Sequence, residues 1–231
     1  MTINKLIKEL KELGNEDYKQ ILQNFFKTGK GQYGEGDIFL GIKVPILRKT
    51  AKEYFDLSLK DIQKLIDSKI HEHRLIALFV LIKKYETTEN KKEIFNFYLK
   101  NAKQVNNWDL VDLSAPNIVG NYLLDKERSI LYKLAKSDNL WEKRISILAT
   151  FAFIKNGESK DILKISRIML NDDHDLIHKA TGWMLRELGK KVSQAEEEKF
   201  LKKYYKVMPR TMLRYSIERF NEKKRQYYMK K

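Results

Sequence analysis

Glu142-Lys143-Arg144-Ile145-Ser146 decides the fold, because a cation set just ahead of apolar residues returns in Glu72-His73-Arg74-Leu75-Ile76, Ile177-His178-Lys179-Ala180-Thr181 and Met212-Leu213-Arg214-Tyr215-Ser216. Arg74, Asp109, Arg144, Lys179 and Arg214 stand 35 residues apart, one after another. Each opens a stretch whose apolar residues follow helical spacing. A period of this length is that of a helix pair, a unit that cannot bury its apolar face alone and so stacks on its neighbours. Tetratricopeptide signature residues are absent. The spacing therefore predicts an all-α, HEAT-like helical repeat solenoid with a concave basic groove, spanning residues 1–231 as a single domain.

Outward from the repeat, the N-terminal sequence predicts helices over residues 3–13 and 18–26, with Gly14 placed to stop the first. Gly29, Gly31, Gly34, Gly36 and Gly41 then put half of the ten glycines into thirteen residues, which predicts a long irregular loop. Gly29, Gly31 and Gly34 satisfy the spelling of a dinucleotide fingerprint. Such a site needs a strand before it and a helix opening at the last glycine, and neither is present. The expectation is a surface loop that at most lends backbone N–H groups and Lys30 to a phosphate. Pro45 fits the first turn of a helix running to about residue 54, and nothing reads as a strand.

Charge narrows the partner. The net charge is +15, and residues 199–231 carry twelve Lys/Arg against Glu218 and Glu222. A basic tail is expected at about 221–231. Such a surface favours a polyanion, nucleic acid ahead of an anionic membrane. No apolar run is long enough to span a bilayer, and the first residues form an amphipathic helix, so a cytoplasmic, nucleoid-associated, monomeric protein is expected. With no cysteine, thiolate zinc sites and a thiol nucleophile are excluded. No metal or organic cofactor is expected.

Counting from the repeated position, Arg74, Arg144, Lys179 and Arg214 lie at zero, Trp108 at −1, Asp112 at +3, Trp183 at +4 and Arg186 at +7. On a helix these offsets share one stripe of about 140°. Arg or Lys is replaced by Asp109 at one rung, with Asp112 one turn on, so a negative spot falls in a positive stripe. Two readings stay open. Tryptophans at helical spacing are commonly core, and Asp109 or Asp112 can pair with Arg144 on the next helix. Alternatively, two indoles and a carboxylate stabilise a cation while surrounding Arg/Lys hold phosphates. A cation attached to a polyanion describes an alkylated purine in DNA.

The chain resembles the HEAT-like DNA alkylation repair family, the AlkD-like alkylpurine DNA glycosylases. The resemblance runs over nearly the whole chain. It is carried by Trp108-Asp109-Leu110-Val111-Asp112, by Ser137 to Arg144, by Lys179 to Glu187, and by Phe39-Leu40-Gly41-Ile42 with Pro45 and Arg48. It implies an aromatic cradle of Trp108 and Trp183, a catalytic carboxylate in Asp112, and a phosphate or backbone contact in Arg144. Arg74, Lys179, Arg186 and Arg214 complete the expected DNA-binding set. The activity implied is hydrolysis of the N-glycosidic bond of N3- or N7-alkylated purines in double-stranded DNA. The alternative is a non-catalytic HEAT-repeat DNA-binding or scaffold protein.

Other polar residues point elsewhere. His174 and His178 imitate a zinc helix at i, i+4 but lack a third ligand, and read as residues of a helix N-terminus. His71 and His73 face different directions and form no ligand pair. Trp141 reads as a packing anchor. Asp109 is the second candidate for the catalytic acid.

Overall fold

The computed structural model describes residues 1–230. It is all-α, with fourteen α-helices and, among the described residues, one isolated β-bridge between Ile38 and Ile70. The helices run in pairs: α1 (Ile3–Glu12) with α2 (Glu16–Phe25), α3 (Val44–Glu53) with α4 (Leu59–Ile66), and α5 (His71–Thr87) with α6 (Lys91–Lys100). There follow α7 (Trp108–Ser114) with α8 (Ser129–Ala135), α9 (Leu140–Lys155) with α10 (Lys160–Ile168), α11 (Asp175–Lys191) with α12 (Gln194–Tyr204), and α13 (Arg210–Ser216) with α14 (Glu222–Met229). From α5 onward the first helix of each pair opens close to the repeated position, as the 35-residue period requires.

Local chemistry explains the boundaries. Thr2 and Asn15 accept backbone N–H bonds as the N-caps of α1 and α2, and Pro45 occupies the first turn of α3, where its missing N–H costs nothing. The chain, read above as one repeat domain, gathers into two compact units, Met1–Leu110 and a second beginning at Val111.

In the first unit α5 is the central element. Every side chain from His71 to Leu81 is buried, with α3, α4 and α6 packed around it. Burying Glu72 demands hydrogen-bond partners. They come from the glycine-rich loop: the backbone N–H groups of Leu40, Gly41 and Ile42 donate to the Glu72 carboxylate at 2.9, 2.8 and 3.2 Å. This corrects, for the loop's C-terminal half, the expectation of a surface loop that offers its amides to phosphate; Gly29, Lys30 and Gly31 are exposed. Asp37, Phe39 and Ile42 are buried, and the loop's C-terminal half is part of the core. Gly41 has φ of 82°, and a Cβ there would sit 2.1 Å from the Asn15 carbonyl oxygen, so only glycine lets the loop pass the start of α2.

In the second unit α9 is central, flanked by α8, α10, α11 and a π-helical turn, Pro116–Gly120. Trp141 is buried at its start, as a packing anchor should be. Helices α11 and α13 approach at Gly182, where a Cβ would lie 2.4 Å from the Met212 carbonyl oxygen. The expected basic tail is a helix over most of its length. Tyr228 of α14 is buried, and Arg210 donates to the Met229 carbonyl at 2.9 Å.

Candidate functional site

The second unit assembles its polar centre from three first helices. Asn139 caps α9 by accepting from the N–H groups of Trp141 and Glu142, which fixes the turn that carries Arg144. Arg144 is 4% exposed. Its Nε donates to Asp112 Oδ1 and its Nη2 to Oδ2, both at 2.8 Å, while Nη1 donates to the Leu176 carbonyl at 2.5 Å. One guanidinium thus ties α7, α9 and the first turn of α11 together. The fork-on-fork arrangement fixes the plane of the Asp112 carboxylate, whose side chain keeps 18% of its surface in solvent. A pair this withdrawn gains from Coulomb attraction and loses to desolvation, but removing one partner alone strands a buried charge at a cost of about 3–5 kcal/mol.

Along α11, Lys179, Trp183 and Arg186 are partly exposed, as are Leu176, His178 and Gly189, while Ile177, Ala180, Thr181, Met184, Leu185 and Leu188 are buried. The i, i+4, i+7 stripe drawn from the sequence is therefore the solvent-facing side of this helix. Trp183 tilts against Phe151, ring centroids 6.2 Å apart. Lys179 pairs with Asp175 at 2.7 Å, and Arg186 pairs with Glu218. Arg214 is exposed.

The first unit holds Trp108, half-buried at the start of α7. Its ring stacks on Phe26 at 5.2 Å and 20°, meets Phe25 edge-on at 5.8 Å, and donates from Nε1 to the Tyr33 hydroxyl at 3.2 Å. Phe26 stacks in turn on Phe39, and Phe39 lies 4.5 Å from the ring of His71. His71 is buried between two carboxylates, Nε2 at 2.9 Å from Asp109 Oδ2 and Nδ1 at 3.4 Å from Asp37 Oδ2. Burial alone would favour the neutral ring. The charge of Asp109 and the hydrogen bonds to Asp109 and Asp37 outweigh it and push the imidazole up to about 9. His71 is therefore a buried imidazolium at neutral pH. Asp37 is held below the usual carboxylate range, since the His71 hydrogen bond and the Arg74 charge overcome its burial. Arg74 completes the cluster, Nη2 at 2.7 Å from Asp37 Oδ1 and Nη1 donating to the Ser68 carbonyl at 2.7 Å.

Among the expected DNA-binding residues, Arg74 and Arg144 are thus buried in ion pairs, Lys179 and Arg186 are partly exposed and paired, and Arg214 faces solvent. Asp109 turns one oxygen to His71 and the other to the N–H of Leu110. The sequence reading weighed His71 only as a metal ligand and missed its place beneath Trp108. Asp37, 34 residues away, carries no local mark of that contact. Phe25 and Phe26, at the end of the helix predicted over residues 18–26 and beside the glycines, were the signal available. His174 and His178 serve the start of α11: His174 Nδ1 accepts from the Leu176 N–H, and His178 Nε2 lies 2.5 Å from the Asp172 carbonyl.

Comparison with known proteins bears on what such a chain does. A family model described as DNA alkylation repair enzyme matches residues 6–220. A solved structure titled as a predicted DNA alkylation repair enzyme from Enterococcus faecalis superposes with a TM-score of 0.68 at 15% identity, over 90% of this chain and 97% of that one. At that identity the likeness is one of fold. No curated protein matches.

Proposed function

This chain belongs to the DNA alkylation repair enzyme family, and from that premise we propose that it is a DNA glycosylase hydrolysing the N-glycosidic bond of cationic N3- or N7-alkylated purines in duplex DNA. The observation that carries the reading is the Asp112–Arg144 pair: a carboxylate fixed in plane by two 2.8 Å bonds, partly open to solvent, on the helix that Trp108 begins. Alkylation already makes the purine a good leaving group. What remains is to stabilise the positive charge that builds on the sugar and to place a water.

In this mechanism the C1′–N bond breaks and the base departs neutral, its positive charge passing to the sugar. The oxocarbenium-like sugar meets the Asp112 carboxylate. Water adds at C1′ and yields its proton to Asp112 or to solvent, leaving an abasic site. Arg144 acts by positioning, because its fork prevents the carboxylate from rotating. Trp183, in the same unit as Asp112, supplies a ring face for sugar or cationic base. Lys179, Arg186 and Arg214 supply phosphate contacts, each loosening with added salt.

The competing reading is that the Asp112–Arg144 pair only joins helices of the second unit and that the protein binds DNA without chemistry. Asp112→Asn separates the two. The amide keeps volume and one acceptor for Arg144 while removing the charge. On duplex DNA carrying N7-methylguanine, wild-type protein is expected to release base above spontaneous depurination, and the variant to lose most of that release, by about 100-fold or more, while binding intact duplex undiminished. Equal release by the two proteins removes Asp112 from the chemistry. No release by either leaves a DNA-binding protein.

A further inference from the structure

A second basic and aromatic feature lies away from the residues just described. Between α12 and α14 runs a groove of about 440 Å³, lined among others by Lys202 on one side and by Lys223 and Tyr227 on the other. Both lysines are exposed and Tyr227 is 58% exposed. Beneath it the aromatic floor is fixed: Tyr227 packs edge-on against buried Tyr228 at 5.1 Å and lies 6.0 Å from Tyr205. Lys224 is drawn aside into a pair with Glu198, across the groove, which ties α14 to α12. The wall is thus held in place while a ring and two ammonium groups remain turned to solvent. It sits where the chain's charge is concentrated, since residues 199–231 hold twelve Lys/Arg and two Glu.

We propose that this groove is a second nucleic-acid site, one that takes an unpaired strand. A tyrosine face presented between cations suits a base whose own face is free, since stacking is insensitive to sequence and the lysines follow the adjoining phosphates. Duplex DNA hides its base faces, so it offers the groove phosphates alone. An anionic membrane also attracts lysine, but α14 reads Glu222-Lys223-Lys224-Arg225-Gln226-Tyr227-Tyr228-Met229 and turns Tyr228 inward, leaving no apolar face to insert. The site belongs to the second-helix layer: α12 packs against α11, whereas Arg144, Lys179, Trp183 and Arg186 ride on the first helices α9 and α11. It therefore engages a separate strand segment from the one the proposed chemistry would act on.

The test is fluorescence anisotropy of the full-length protein with a short labelled oligodeoxythymidylate, with an undamaged duplex of equal phosphate number, and with phosphatidylcholine vesicles with and without phosphatidylserine. Tyr227→Ala is expected to weaken the single-strand complex by about 5-fold or more with its salt slope unchanged, since it removes a stacking face and no charge. Tyr227→Phe restores binding. Lys202→Ala with Lys223→Ala is expected to lower the single-strand salt slope by about 1.4, and Lys133→Ala on α8 with Lys136→Ala at its C-cap leaves the Tyr227 effect intact. Wild-type affinity in Tyr227→Ala, equal loss on duplex and single strand, or binding to phosphatidylserine vesicles alone overturns the proposal. Because the probes carry no lesion, these outcomes are independent of whether alkylpurines are released.

Discussion

Replacing His71 with glutamine tests the buried imidazolium under Trp108. In the folded chain its proton is held at about 9 against an ordinary 6.5, a difference equivalent to about 3 kcal/mol. The sign follows from linkage: the folded state binds this proton more tightly, so the stabilisation is full below pH 6.5 and drains as the pH rises through about 9. The groups facing the ring are Asp109, Asp37 and Arg74, and the first two outweigh the third. Glutamine can still bridge by hydrogen bonds but carries no charge, so Asp109 keeps a neighbour and loses a counter-ion. Urea unfolding of wild type and His71→Gln at steps from pH 6 to pH 9 is the assay, and Trp108, seated on Phe26 within the first unit, is an internal probe of it. Wild-type stability of the first unit should fall by about 3 kcal/mol more across this range than that of the variant. Comparing the two chains cancels the titration of every other group. Parallel pH profiles would show that His71 titrates near its ordinary value and would remove the charge from the account of how Trp108 is supported.

Two further substitutions probe the second unit. Glu197 is buried with one oxygen lacking a partner, and burial with the charge of Glu198 pushes it up to about 8. Its folded state prefers the proton, so stability falls as the pH rises from 4.5 to about 8, and Glu197→Gln should flatten that fall by on the order of several kcal/mol in denaturant titrations; an unchanged profile would show that water reaches the carboxylate. Gly182→Ala should lower stability by about 1–3 kcal/mol, because a methyl would press on the Met212 carbonyl from 2.4 Å and force α11 from α13. A wild-type melting curve would mean that α13 yields freely.

Much of this could be read from the sequence because it depends on period. The 35-residue recurrence places first helices at His71, Trp108, Leu140, Asp175 and Arg210, since a helix pair of this length repeats its apolar pattern at the same interval. The stripe of Lys179, Trp183 and Arg186 on α11 was legible for the same reason. The glycine loop was not. Its glycines signal freedom, but Phe39 and Ile42 are buried and its amides are taken by Glu72, a residue about thirty positions away that reads locally as a solvated charge on a helix start. Nor was the use of the cations. A ladder of Arg and Lys looks the same in sequence whether its rungs reach out to phosphates or back to carboxylates.

The distances decide between those two uses, and they reveal a rule. Arg74 meets Asp37, His71 meets Asp109, and Arg144 meets Asp112 across 32 residues. Arg128 meets Glu158 and Asp161 across 30 and 33, and Lys143 meets Asp172 across 29. Each of these separations is close to one repeat, so each contact joins successive parts of the array within its unit, helix pair to helix pair except at Asp37, which lies in the glycine-rich loop. In a stacked array the stability that makes neighbours fold together resides in such interfaces. An apolar interface alone tolerates slippage along the helix, whereas a fork held by two oxygens accepts one register. The negative spot at Asp109 and Asp112 thus has a first cause in assembly: each carboxylate answers a cation one repeat away. For Asp112, the requirement for register also fixes a carboxylate at the edge of solvent, where the proposed chemistry needs one. The same accounting directs the search for phosphate contacts away from Arg74 and Arg144, whose charges are already answered, and toward Arg214, whose side chain is exposed.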